Sequence, residues 1–167
     1  MTSTPPDNAA FFEHVELNEV RLLKLEHEIS ARYFAPAGSR RLGYELAEVQ
    51  VSIDDEHNVA MATFRWSVAM TTTDPEEEPL FRVDATYLAT FTGTRSGGED
   101  YVRAFISRTG AFGTYPYLRA MVARLSDESG ALLPPMPLFK GTPPPFEEGE
   151  QEEHDDVADD AKVSSGR

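Results

Sequence analysis

Apolar and polar residues alternate along most of the first half of the chain, and period-two alternation marks a half-buried strand. Over residues 15–29, Val15, Leu17, Leu23, Leu25 and Ile29 share one parity, while Glu16, Asn18, Lys24, Glu26 and Glu28 share the other. A helix is the rival reading of this stretch, because Glu and Leu favour helices; the alternation favours a strand. Residues 35–43 (APAGSRRLG) are turn and loop material. A second strand is predicted over residues 44–53, where Val49, Val51 and Ile53 alternate with Gln50 and Ser52. The polar run Asp54–Asn58 then makes a hairpin turn. The third predicted strand, residues 59–73, turns Phe64, Trp66, Val68 and Met70 one way and Thr63, Arg65, Ser67, Ala69 and Thr71 the other. After the acidic turn Asp74–Pro79 comes the cleanest alternation, residues 80–92, with Phe81, Val83, Ala85, Tyr87, Ala89 and Phe91 on one face.

Beyond the turn Gly93–Gly98 the period lengthens. Tyr101, Val102, Phe105 and Ile106 recur at helical spacing, and Tyr115, Leu118, Val122 and Leu125 do so over residues 113–128. Proline suits a first helical turn but not an interior one, so Pro116 predicts the start of this second helical stretch, and Gly130 predicts its end. Residues 131–139 (ALLPPMPLF) are apolar but too rich in proline for a helix or a central strand, so they are expected to lie extended on the fold. Four long strands joined mostly by short turns make an antiparallel sheet with one apolar face, and that face needs a cover. The expected class is α+β: a four-stranded antiparallel sheet covered on one face by a C-terminal helix layer.

Composition sharpens the boundaries. The 167 residues carry 29 acids and 15 bases, a net charge of −14. Residues 141–167 hold nine of those acids against two bases, so 27 residues carry −7 and leave −7 for the other 140. That segment has too little apolar surface to offset the entropy of ordering. We therefore expect a disordered N-terminus over 1–10, one domain over 11–140, and a disordered acidic tail over 141–167 behind the spacer Pro143-Pro144-Pro145. The tail is read either as a solubility device or as a docking element for a basic partner, with Glu147, Glu148, Asp155 and Asp156 as candidate contacts. Such a charge repels phosphate backbones and anionic lipid, which argues against nucleic acid or membrane insertion. No window approaches the apolar length of a membrane span, and the first residues do not read as a signal peptide, so a cytoplasmic location is expected.

No catalytic constellation emerges. The absence of cysteine removes thiol chemistry, disulfides and Cys-based metal sites. His14, His27, His57 and His154 show no ligand spacing, so no metal is expected. Ser96-Gly97-Gly98-Glu99-Asp100 reads as a tight turn with two acids at a helix N-terminus. Glu76, Glu77 and Glu78 read as a solvated turn. There is no phosphate-binding glycine loop, dinucleotide fingerprint or nucleophile elbow. A non-enzymatic role without a cofactor is the expectation.

Two apolar stretches stand out because neither shows strand or helix periodicity. The loop Ala31–Tyr44 carries Tyr33, Phe34, Leu42 and Tyr44; the extended segment carries Leu132, Leu133, Met136, Leu138 and Phe139. Either they cap the core, or they wall a groove whose Met and aromatic side chains adapt to varied partners.

The run Tyr115-Pro116-Tyr117-Leu118-Arg119, followed by the proline-containing segment Leu132–Leu138, resembles the helix opening and extended segment of the SecB family of export chaperones. Arg21-Leu22-Leu23-Lys24 agrees more loosely, and the order of elements agrees over residues 12–139. The resemblance implies an ATP-independent holdase, assembled as a homo-oligomeric dimer of dimers, that keeps unfolded polypeptide clients in apolar grooves. Those grooves would lie beside the crossover loop, here Ala31–Gly43. The client-binding candidates are Tyr33, Phe34, Leu42, Tyr44, Leu133, Met136, Leu138 and Phe139. Clients would be preproteins or an antitoxin, and the export motor SecA would be a further partner. Export-type members carry a second helix after the extended segment, where this chain continues Gly141-Thr142-Pro143-Pro144-Pro145. That departure resembles the SecB-like chaperones associated with toxin–antitoxin systems.

Overall fold

Strands β3 (Val59–Thr72) and β4 (Phe81–Thr92) form the centre of the sheet, and their alternation is the burial pattern itself. Ala60, Ala62, Phe64, Trp66, Val68 and Met70 on β3 are buried, as are Phe81, Val83, Ala85, Tyr87, Ala89 and Phe91 on β4. Cross-strand pairing sets Phe64 opposite Tyr87 and Trp66 opposite Ala85, so both apolar rows share one face. The computed structural model of the chain describes residues 11, 13–35, 38–74, 77–95 and 97–139. The predicted termini 1–10 and 141–167 lie outside the described residues.

Strands β1 (Glu16–Ile29) and β2 (Arg40–Asp54) flank this pair in the antiparallel order β1-β4-β3-β2. Because they are consecutive in sequence yet lie at opposite edges, the chain between them must cross the sheet. It does so through a short 3-10 turn, Ala31–Phe34.

Three boundaries correct the sequence reading. β2 begins at Arg40, so Leu42 and Tyr44 are strand residues facing the covered side opposite Met70 and Val68, not loop residues. β1 is a strand, but its register slips between Leu17 and Glu19 and again between Leu22 and Lys24. Each slip inserts an unmatched residue and exchanges the faces. The half-buried residues of β1 are therefore Val20, Leu22 and, beyond the second slip, Ile29, while Leu23 is half exposed. Finally, Pro116 lies inside one continuous helix, α1 (Glu99–Ser129), rather than at the start of a second.

α1 is capped at both ends as its glycines suggest. Gly98 occupies the N-cap with Glu99 and Asp100 in the first turn, where the helix dipole favours acids. Gly130 adopts a left-handed φ of 67° and donates its N–H back to the Asp127 carbonyl. The helix buries Val102, Ile106, Ala111, Tyr115, Leu118 and Val122 against the sheet. Its approach depends on Gly110, where an added Cβ would lie 2.2 Å from Cζ of Phe64. Above that point Trp66 Nε1 donates to Thr114 Oγ1 at 3.0 Å. Near the start of the helix, Arg103 donates to the Val51 carbonyl at 2.8 Å and pairs with Glu99 at 2.9 Å. Phe11 closes that end, packing edge-on against Tyr101 and Phe105.

Candidate functional site

Residues 131–139 leave the helix and run back along it without regular structure, so their backbone groups need partners from elsewhere. They find them in order. The Tyr33 hydroxyl donates to the Ala131 carbonyl, the Leu133 N–H donates to Ser126 Oγ at 2.8 Å, and the Tyr115 hydroxyl donates to the Pro137 carbonyl at 2.6 Å. Prolines 134, 135 and 137 have no N–H to satisfy, so this chemistry suits an extended strap. Phe139 ends the strap in an aromatic cluster, with ring centroids 4.9 Å from Phe112, 5.1 Å from Tyr115 and 5.6 Å from Trp66. Tyr44 joins from β2, 5.2 Å from Tyr115.

The strap and helix do not close on one another. Between them lies an open apolar concavity of about 600 Å³, walled by Phe112, Tyr115, Pro116 and Ala120 on the helix and by Leu138 and Phe139 on the strap. A second, of about 200 Å³, continues along the helix past Val122 and Ser126, with Leu133, Pro134, Pro135 and Met136 as its far wall. Arg119 and Ala123 border both. Phe112 is 44% exposed and Leu138 67% exposed, a large apolar surface presented to solvent. Burial, with Tyr44 adding to it, pushes the Tyr115 phenol up to about 12. It therefore stays a neutral donor at ordinary pH. Among the described residues no three His, Asp or Glu side chains group in a way that could hold a metal ion.

The sequence candidates divide by location. Leu138 and Phe139 wall the larger concavity, and Leu133 and Met136 wall the smaller. Tyr44 touches the cluster from behind through Tyr115. Tyr33 is buried, with Arg40 stacked 4.7 Å over its ring and donating to the Tyr33 carbonyl at 2.7 Å. Met136 is also buried, so both serve first as core anchors. Phe34 is 60% exposed on the crossover turn and borders neither concavity, and Leu42 is half-buried on β2. Glu147, Glu148, Asp155 and Asp156 lie outside the described residues. Sequence reasoning missed Phe112, Tyr115, Pro116, Arg119, Ala120 and Ala123 as walls. The available signal was a second row at positions 112, 116, 120 and 123, which shares one side of a helix whose buried side is already assigned.

A four-stranded antiparallel sheet of order β1-β4-β3-β2, with a sheet-crossing connection and one long covering helix, is a SecB-like fold. The solved structure of the Mycobacterium tuberculosis SecB-like chaperone Rv1957, in complex with a ChAD peptide from the HigA1 antitoxin Rv1956, superposes with a TM-score of 0.62. The match is 22% identical and covers 78% of this chain and 93% of that one. No protein-family model and no curated protein matches this sequence.

Proposed function

We propose that this chain is an ATP-independent holdase that binds non-native polypeptide segments in the groove between α1 and the strap. The observation that carries this reading is the open apolar wall of Phe112, Tyr115, Leu138 and Phe139, built into a SecB-like fold. Binding there needs no nucleotide: burial of client apolar side chains supplies the driving force, at roughly 25 cal/mol per Å². The fold and its neighbour's antitoxin peptide support a polypeptide client and favour an antitoxin over a preprotein. The same reading makes the protein a non-enzymatic, cytoplasmic homo-oligomer, with SecA as a partner only in the export case.

Aggregation suppression tests it. An unfolded client is diluted with and without the protein, in the absence of nucleotide, beside a variant carrying Phe112→Ser and Leu138→Ser. Both positions are exposed, so the variant keeps its core. Suppression by the parent and its loss in the variant support the groove; no suppression of any client, including antitoxin segments, sinks the holdase.

A second reading has its own observation, the −7 charge of residues 141–167. In it the chain is a dedicated module that docks one basic partner through Glu147, Glu148, Asp155 and Asp156. Replacing these four with amides abolishes binding under this reading and leaves client holding intact under the first.

A further inference from the structure

α1 carries four arginines, Arg103, Arg108, Arg119 and Arg124; two have anionic partners one turn away, and Arg108 is exposed and borders neither concavity. Arg103 pairs with Glu99 at 2.9 Å and Arg124 with Glu128 at 2.7 Å. Arg119 has no acid at either position one turn away, because its neighbours there are Tyr115, Pro116, Val122 and Ala123. Among the described residues it forms no ion pair and no hydrogen bond through its guanidinium, although it borders both concavities. Asp127, on the rim of the smaller one, makes no ion pair with it.

We infer that Arg119 makes the groove selective for client segments in which a carboxylate lies next to an apolar side chain. This inference rests on the client-binding reading above. A client that fills both concavities passes over Arg119 and strips water from its guanidinium. An arginine covered by apolar surface without an anion is strongly disfavoured, whereas a carboxylate of Asp, Glu or a chain terminus gives a two-pronged, charge-assisted contact. The two apolar concavities take the side chains on either side of that acid. The groove thus combines a non-selective hydrophobic grip with one polar condition, the usual division of labour in a ligand site.

The test uses the full chain and three fluorescently labelled peptides of one apolar sequence, in which the residue after a central Phe is Glu, Gln or Lys. Fluorescence anisotropy at low salt is expected to show the Glu peptide binding roughly tenfold tighter than the Gln peptide, with Lys the weakest, a size typical of one hydrogen-bonded charge contact. The Glu/Gln ratio should shrink as salt screens the contact. It should collapse to near one in Arg119→Gln and stay above one in Arg119→Lys; circular dichroism confirms that both variants fold. A ratio of one in the parent overturns the inference, as does a ratio that survives Arg119→Gln. An acid preference that emerges only in a Glu147→Gln/Glu148→Gln variant also overturns it, because the chain's own carboxylates then hold Arg119. Tight binding without acid preference leaves the holdase standing, whereas failure of every peptide to bind sinks the holdase reading and this inference with it.

Discussion

Trp66 donates its indole N–H to the hydroxyl of Thr114 at 3.0 Å, and both residues are fully buried. This is the polar pin between the middle of the sheet and the middle of α1, one residue from the groove wall at Tyr115. Thr114→Val keeps the shape and removes the acceptor, leaving a buried indole donor unpaired. It is expected to cost about 1–3 kcal/mol. Urea unfolding followed by fluorescence of the single tryptophan measures it, and an unchanged midpoint would show that the bond contributes nothing.

Gly110 sets the helix–sheet distance. Ala at this position improves intrinsic helix propensity by up to about 1 kcal/mol. Its methyl group, however, would sit 2.2 Å from Cζ of the fully buried Phe64. Overpacking of this kind costs about 1–3 kcal/mol, so Gly110→Ala is expected to destabilise. The loss should shrink in a Phe64→Leu background, and a double-mutant cycle would read the coupling.

Pro116 removes the N–H that would donate to the Phe112 carbonyl inside α1. Pro116→Ala restores the donor and is expected to raise stability by about 1–3 kcal/mol. Because Pro116 also lines the larger concavity, the same variant should bind apolar clients more weakly. Thermal unfolding and anisotropy measure the two effects separately, and a drop in melting temperature would contradict the first.

Two phenols are held protonated beyond their ordinary value of 10.0. Burial pushes both Tyr87 and Tyr115 up to about 12. In the unfolded chain they ionise near 10, so between these values the folded state binds more protons than the unfolded state. Stability therefore falls as pH rises from 10 towards 12 and is unaffected by these groups below that window. The Tyr87 hydroxyl is buried without a hydrogen-bond partner among the described residues. Tyr87→Phe removes an unsatisfied polar group, and is expected to be neutral or stabilising by up to about 1 kcal/mol at pH 7. It should also flatten the alkaline loss. Ultraviolet titration of the tyrosines, run beside denaturant unfolding at several pH values, checks both.

How far the sequence could be read follows from how each residue meets its neighbours. The parities of β3 and β4 were legible because both strands are central and regular, so sequence period and burial coincide. β1 was legible as a strand but not in its facing, because two register slips against β4 move Val20 and Leu22 inward and Leu23 outward. Pro116 misled because proline's local preference is for a first helical turn; packing of Tyr115 and Leu118 on the sheet carries the helix through it. At the groove, the strap residues Leu138 and Phe139 announced themselves as apolar positions without periodicity. Phe112 and Arg119 did not, since a residue on α1 becomes a groove wall only once the strap is known to run along that flank.

Local period, backbone freedom and composition were enough for the α+β class, the four strands, the glycine ends of the helix and the charge of residues 141–167. The tertiary structure alone decided the edge positions of β1 and β2, the continuity of α1 and the site's true walls. Those depend on contacts between residues far apart in the chain: the hydroxyls of Tyr33 and Tyr115 on the strap's carbonyls, Gly110 against Phe64, and the space left between helix and strap beside Arg119.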